Sequence, residues 1–262
     1  ALHLLSFGDR GGRAALADAL AAEGVATAPA TFSPLGLVVE SGDALATAAF
    51  GRGDFYVQDE ASQAAALVPE PRDGELVLDA AAAPGGKGIA ILARQPGARV
   101  VFSDLSLARV GRLAENLARL GRRAPVLVAD AAAPPWRPAF DRVVLDAPCS
   151  GTGTLRRHPE LRWRFRLSEL ERLAEQALVL LRELAGAVAP GGRLVHLTCS
   201  VEAEENERVA ERFLAADARF APDPLEVLAP EIAGARSAPG RWRTLPDGGH
   251  DGFSVAVFRR TR

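Results

Sequence analysis

Five short runs rich in Val and Leu, each ending in Asp or Cys and separated by helical stretches, constrain this chain more than any other feature. They are ELVLDA (75–80), ARVVFSD (98–104), APVLVAD (124–130), FDRVVLDAP (140–148) and GRLVHLTCS (192–200). Unbroken apolar runs of this length suit strands buried on both faces. Between them Leu and Ala recur at helical spacing over 105–120 and 167–189. Strand alternating with helix means a parallel sheet with helices on both faces, an α/β fold. The run GFSVAVFRR (252–260), after a loop rich in Pro and Gly at 238–249, is expected to add an edge or hairpin strand. Residues 1–54 read as a smaller α+β unit: an apolar stretch Leu2 to Phe7, a helix-like run from Ala14 to Glu23, and LGLVVE at 35–40. The one domain seam expected is therefore near residue 54, with 55–262 as the larger domain.

The 262 residues can bury a core of that size without disulfide staples, and with two cysteines no disulfide framework organises it. A reducing, cytoplasmic setting is expected. No apolar run approaches the ~20 residues that span a bilayer, and ALHLLSFGDR has no basic n-region, so no membrane partner is expected. The chain contains no Met, which suggests that it begins inside a longer product whose upstream segment is missing. Lys87 is the single lysine beside 30 arginines, and the net charge of -2 argues neither for nor against nucleic acid. His3, His158, His196 and His250 are scattered, and no cluster has metal-ligand spacing.

Ligands of open α/β sheets bind at the carboxyl ends of the strands. Four of the runs end in Asp79, Asp104, Asp130 and Asp146; the fifth ends in Cys199, and Cys149 follows Asp146 by three residues. One strand-terminal Asp is explained by turn capping; four in sequence, with both cysteines at the same edge, fit that explanation poorly. The first run leads into AAAPGGKG (81–88), where adjacent glycines let the backbone approach a ligand and a helix N-terminus follows. This is neither the G-x-G-x-x-G fingerprint nor a Walker loop. Asp104 stands where a ribose-binding carboxylate is expected, which favours a nucleoside ligand, with Asp130 near its base. Cys199 precedes VEAEENERVAERFLAAD, an amphipathic helical run, so its sulfur is expected near a helix N-terminus that stabilises a thiolate. The glutamates of that run read as a solvated face.

LDAAAAPGGKG, DAPCSGTG, RRHPELRW, TCSVEAEENE, HDGFSVAVFRR and FYVQDEASQ (55–63) together closely resemble the Sun-type RNA (cytosine-5) methyltransferases, the family that includes bacterial small-subunit ribosomal RNA enzymes. The resemblance is dense over 54–262 and looser in the small N-terminal unit, which is similar to that family's RNA-binding subdomain. It implies a Rossmann-like class I S-adenosylmethionine-dependent methyltransferase fold with a mainly parallel seven-stranded sheet. It also implies that Cys199 attacks C6 of cytosine to activate C5, that Cys149 helps release the product, and that Asp146 holds the N3 edge. Ala81, Ala82, Ala83, Pro84, Gly85, Gly86, Lys87, Asp104, Asp130 and Asp146 match the family's cofactor contacts. Two positions depart from the family pattern, which usually has Cys where Ala81 stands and Thr where Gly88 stands.

Residues 151–166 carry a local charge of +4, with Arg156, Arg157 and Arg162 interleaved with Trp163. A charge run alone reads as a solvated loop; beside a base-modifying site, Arg for phosphate and an aromatic for stacking suit looped RNA, whose target base must be unstacked. The expected partner is RNA, most of all ribosomal. A transfer RNA enzyme and a non-catalytic RNA-binding or ribosome-assembly factor are the competing readings, and the latter has no use for Cys199. An adenine amino-methyltransferase is disfavoured because its aromatic-bearing turn is replaced by DAPC.

Overall fold

The computed structural model describes residues 2–137, 139–225 and 230–262. The strands are β1 (Leu2–Leu5), β2 (Ala26–Pro29), β3 (Gly36–Ser41), β4 (Tyr56–Val57), β5 (Leu76–Asp79), β6 (Arg99–Asp104), β7 (Val126–Val128), β8 (Phe140–Asp146), β9 (Val188–Thr198), β10 (Phe220–Pro222), β11 (Arg236–Ala238), β12 (Arg241–Thr244) and β13 (Phe253–Arg260). The helices are α1 (Gly12–Ala22), α2 (Ala48–Gly51), α3 (Glu60–Leu67), α4 (Gly86–Arg94), α5 (Leu107–Arg119), α6 (Leu161–Arg164), α7 (Leu167–Leu184), α8 (Glu207–Ala216) and α9 (Pro230–Ala233).

The large sheet runs β11-β12-β13-β9-β8-β5-β6-β7, with β10 pairing β13. All five runs of the sequence reading are strands here, and β9-β8-β5-β6-β7 is parallel throughout. Successive residues of the central strands feed opposite layers, as the two-residue period of a strand demands. Val77, Val144, Val195 and Leu197 pack under α3, α4 and α5. Leu78, Val143, Leu145 and Leu194 pack against α7 and α8. Among the described residues the sheet has nine strands rather than the expected seven, because the three-residue β10 and β11 add to it. β13 is no edge strand: it lies antiparallel between β9 and β12, and forms a hairpin with β12. The helix expected over 167–189 stops at Leu184, and β9 begins at Val188, where the Pro190-Gly191-Gly192 stretch suits no helix.

The N-terminal elements form a second, antiparallel sheet of order β2-β3-β1-β4, in a β-α-β-β-α-β sequence of ferredoxin-like type. It is tied to the large sheet's layers by side chains reaching backbone. Arg10 donates to the carbonyls of Gly53 and Leu120 at 2.7 Å each. Arg119 donates to that of Phe50 at 2.9 Å, and Arg122 pairs with Asp9. Gly53 permits the close approach: with φ +73, a Cβ there would lie 2.0 Å from the Arg119 carbonyl oxygen.

A second tie sits beside the sheet's carboxyl edge. Asp251 is fully buried, accepts from Arg157 Nε at 2.7 Å and from Arg156 Nη2 at 3.4 Å, and donates its own N–H to Asp59 Oδ1 at 3.2 Å. Arg156 also reaches Asp59 Oδ2 at 3.0 Å, so three distant segments meet in one ion network. Removing Asp251 leaves two guanidiniums without their shared buried anion. Asp251→Ala should lower unfolding stability by about 2–3 kcal/mol, measured by denaturant titration; a loss under about 0.5 kcal/mol, the usual size for a surface site, would contradict the network's role.

Candidate active site

Because β5, β6, β8 and β9 are parallel neighbours, their last residues collect at one edge. Asp79 pairs in register with Val144, Asp104 with Val128, and Asp146 with Leu197, one residue before Thr198. The four strand-terminal carboxylates are not equivalent. Asp79 is fully buried, and its Oδ2 accepts the Gly88 N–H at 2.9 Å, anchoring the first turn of α4. Burial pushes its pKa up to about 7, with the neighbouring Asp146 and Asp104 adding to the rise. Asp104 accepts the N–H of Ala83 at 3.1 Å and of Ser106 at 3.0 Å, bracing the glycine turn from the next strand. Asp130 is exposed and caps its own turn through the Ala132 N–H.

Asp104 and Asp130 border a cavity of about 470 Å³ that is otherwise largely apolar, lined by Ala80, Ala81, Leu105, Pro148, Val179 and Leu180 among others. Its size and few polar groups are those of a small-molecule site. Of the turn Ala81 to Lys87, Ala81 lines the cavity; Ala82 and Ala83 are buried beneath it, and Pro84 faces outward. Gly85 takes φ +113, and a Cβ there would lie 2.5 Å from Leu113 Cδ1. Gly86 opens α4, with Gln58 against it.

The two cysteine sulfurs lie 3.4 Å apart. Their loops cross at Gly153: its N–H donates to the Cys199 carbonyl at 2.9 Å, and its carbonyl accepts from Gly252 at 2.8 Å. A Cβ at Gly153 would lie 2.2 Å from the Gly252 oxygen, so only glycine allows this crossing. The pair is electrostatically asymmetric. The hydrogen bond from Cys149 lowers the pKa of Cys199, and Lys87 adds to this, against burial and Asp146. The same bond, burial, and the charges of Cys199, Asp146 and Glu205 raise that of Cys149 well above the usual thiol value. Of the two, Cys199 is thus the one that gives up its proton more readily, and Cys149 the one held as a thiol. The expected helix N-terminus does not supply this: α8 starts at Glu207, eight residues beyond Cys199, because residues 200–206 form an irregular loop. That loop is held by Asn206, which accepts from Thr198 Oγ1 at 2.6 Å and donates to the carbonyls of Ser200 and Glu202.

Lys87 is buried and donates to Asp146 Oδ2 at 2.8 Å and Ser62 Oγ at 2.9 Å, with the Phe253 ring 4.7 Å from its Nζ. Ser62, Gln58 and Phe253 were not singled out by sequence reasoning, although they lie within the stretches FYVQDEASQ and HDGFSVAVFRR. Glu205, expected on a solvated face, is instead buried, and both its oxygens are bonded to Ser150. The basic stretch divides in two. Arg156 and Arg157 are held by Asp59 and Asp251, although Arg157 stays exposed; Arg162 and Trp163 are exposed as well, Trp163 by 82%.

Gly88 has a local reason. A Cβ there would sit 2.2 Å from Phe102 Cε1, so the ring on β6 occupies the space a larger residue at 88 would need. Gly88→Thr should cost about 1–3 kcal/mol through overpacking, and adding Phe102→Leu should recover most of it in a denaturant titration. A double variant no more stable than Gly88→Thr would contradict this packing.

Comparison with known proteins adds the following. Residues 66–259 match the family model described as 16S rRNA methyltransferase RsmB/F. Ribosomal RNA small subunit methyltransferase B of Pasteurella multocida (strain Pm70) is 39% identical over 223 residues, which are 81% of this chain and 48% of that protein. The chain spans about half the length of the curated relatives it matches. Among solved structures, PH0851 superposes with a TM-score of 0.89 at 30% identity, over 99% of this chain and 59% of that one. NSun6 from Pyrococcus horikoshii with SFG gives 0.82 at 20% identity, over 100% and 91% of the two chains, a likeness of fold.

Proposed function

Since the chain belongs to the 16S rRNA methyltransferase RsmB/F family, we propose that it transfers a methyl group from S-adenosylmethionine to C5 of a cytosine in small-subunit ribosomal RNA. The observation that carries this reading is the pair of thiols 3.4 Å apart beside the Lys87–Asp146 ion pair. Cytosine C5 is a poor nucleophile until a thiolate adds at C6, and Cys199 is the thiol whose surroundings favour the anion. Asp146, held by Lys87, takes the N3 edge and stabilises the charge that develops as sulfur adds. Once C5 has been methylated, elimination breaks the C6–S bond and the C5–H bond: Cys149, in contact with Cys199, gives its proton to the departing Cys199 sulfur, and its own sulfur then takes the proton lost from C5.

The cofactor fits the residues present. The cavity offers apolar walls for an adenine ring, the Asp104 and Asp130 carboxylates for ribose and base-edge donors, and a wall at Pro148, the residue before Cys149. Of the turn, Ala81 stands at the cavity, while Lys87 is directed to Asp146. When bound there, S-adenosylmethionine supplies the methyl group that C5 accepts.

For RNA, the exposed Arg162 and Trp163 offer a cation and a stacking face, while Arg156 and Arg157 support that segment from below through Asp59 and Asp251. The small N-terminal unit, read from sequence as residues 1–54 although its sheet also takes in β4 at Tyr56–Val57, is the second RNA-contacting surface in this reading. Among the described residues no helix is long and apolar enough to cross a membrane and no group of three metal-ligating side chains occurs. The place of work is the cytoplasm, where ribosomal RNA is made and modified.

Cys149→Ala protein incubated with S-adenosylmethionine and small-subunit ribosomal RNA should accumulate a covalent complex on a denaturing gel. Cys149→Ala/Cys199→Ala should give none, and Cys199→Ala should lower methyl transfer by more than about a hundredfold. No complex under conditions where the RNA binds would overturn the covalent reading.

A further inference from the structure

Glu205 is a buried carboxylate without a cation. It is 1% exposed, and among the described residues no Arg, Lys or His stands within ion-pair distance of it, in a chain where arginine pairs with most other buried acids. Both of its oxygens go to one residue: Oε1 accepts the Ser150 N–H at 2.7 Å, and Oε2 accepts the Ser150 hydroxyl at 2.6 Å. Burying a carboxylate is costly, and two short bonds from neutral donors only partly offset it. The position therefore does something a neutral residue would not. Ser150 follows Cys149, so the carboxylate grips the cysteine turn from the loop that also carries Cys199, and places a negative charge beside one sulfur.

We propose that Glu205 is a positioning residue that sets the division of labour between the two cysteines, clamping Ser150 so that Cys149 faces Cys199 as its hydrogen-bond donor. This deepens the proposed reaction and rests on its assignment of Cys199 as nucleophile. The groups around the pair are consistent with it. Cys149 faces Cys199 from the loop after β9, Asp146 from the end of β8, and Glu205, all raising its affinity for a proton. Cys199 has Lys87 from α4 on its side, opposed by Asp146, and its charge is also felt by Arg157. Glu205 and Lys87 thus bias the two thiols in opposite directions. A third bond of Ser150, to Ser200 Oγ at 3.3 Å, continues the clamp into the loop after Cys199, where Thr152 Oγ1 accepts the Val201 N–H at 3.1 Å.

The test is the alkylation of each cysteine by iodoacetamide as a function of pH, in the full chain without RNA, read by peptide mass spectrometry. In the unaltered protein Cys199 should alkylate at lower pH than Cys149. In Glu205→Gln, which keeps the shape and removes the charge, the Cys149 midpoint should fall by about one pH unit and so approach that of Cys199. Unchanged midpoints would overturn the proposal. So would a Cys149 midpoint that rises, or a fall at both cysteines that leaves the two as far apart as before. If Glu205→Gln does not fold, Glu205→Asp carries the test: drawing the carboxylate back by one methylene should lower the Cys149 midpoint by a few tenths of a unit, and no movement would overturn the clamp. Since neither RNA nor methyl donor is present, a protein that passes here yet forms no RNA adduct would refute the reaction class and leave the clamp standing.

Discussion

Cys149 and Cys199 are 50 residues apart, and they meet because β8 and β9 run parallel as neighbours in the sheet. The register that sets Asp146 opposite Leu197 starts the two following loops side by side. Gly153 then lets one loop cross the other within backbone hydrogen-bond distance. Everything chemical at this edge inherits that arrangement. A change that slid β8 against β9 would separate the sulfurs and move Asp146 away from Lys87 together.

Charge is placed at the edge with little redundancy. The chain's single lysine is buried between Ser62, Asp146 and the Phe253 ring, drawing on α3, β8 and β13. A compact ammonium suits this point-like role better than a forked guanidinium, although arginine is the chain's usual cation. Arginine is used where a planar fork joins segments: Arg156 and Arg157 bind Asp251 and Asp59, which fastens the cysteine loop to the C-terminal hairpin and to the start of α3. The small sheet attaches through the same strategy, with Arg10 and Arg119 reaching backbone carbonyls across the junction. Catalytic geometry and the placement of the N-terminal sheet therefore share one framework.

The parallel core was legible in the sequence because its strands are continuous apolar runs, and the site was legible because each run ends in a chemically distinctive residue. Less visible were elements that leave no periodic signature. All eight residues of α3 are buried, Glu60, Ser62 and Gln63 among them, so its polar residues mark no solvent-facing side. The three-residue β10 and β11 are too short to read. Charged residues misled for a related reason: a sequence does not tell a solvated Arg from one whose partner is distant. Arg156 meets Asp59 across 97 positions, and Glu205 meets Ser150 across 55. The helix after Cys199 was placed too early because VEAEENE has good helix formers, while Asn206 draws the preceding carbonyls into a loop. Gly88, an unexplained departure in the sequence, is a packing matter settled by Phe102 on the adjacent strand.

In the proposed reaction Cys199, not its neighbour 3.4 Å away, forms the bond to cytosine. The most direct measurement uses the unaltered protein, S-adenosylmethionine and small-subunit ribosomal RNA transcribed with 5-fluorocytidine. With fluorine at C5 there is no proton to lose after methylation, so the adduct persists. Protease and nuclease digestion followed by tandem mass spectrometry should find the modified nucleotide on the peptide containing Cys199. Attachment to Cys149, or no attachment to either cysteine while the RNA is bound, would contradict it.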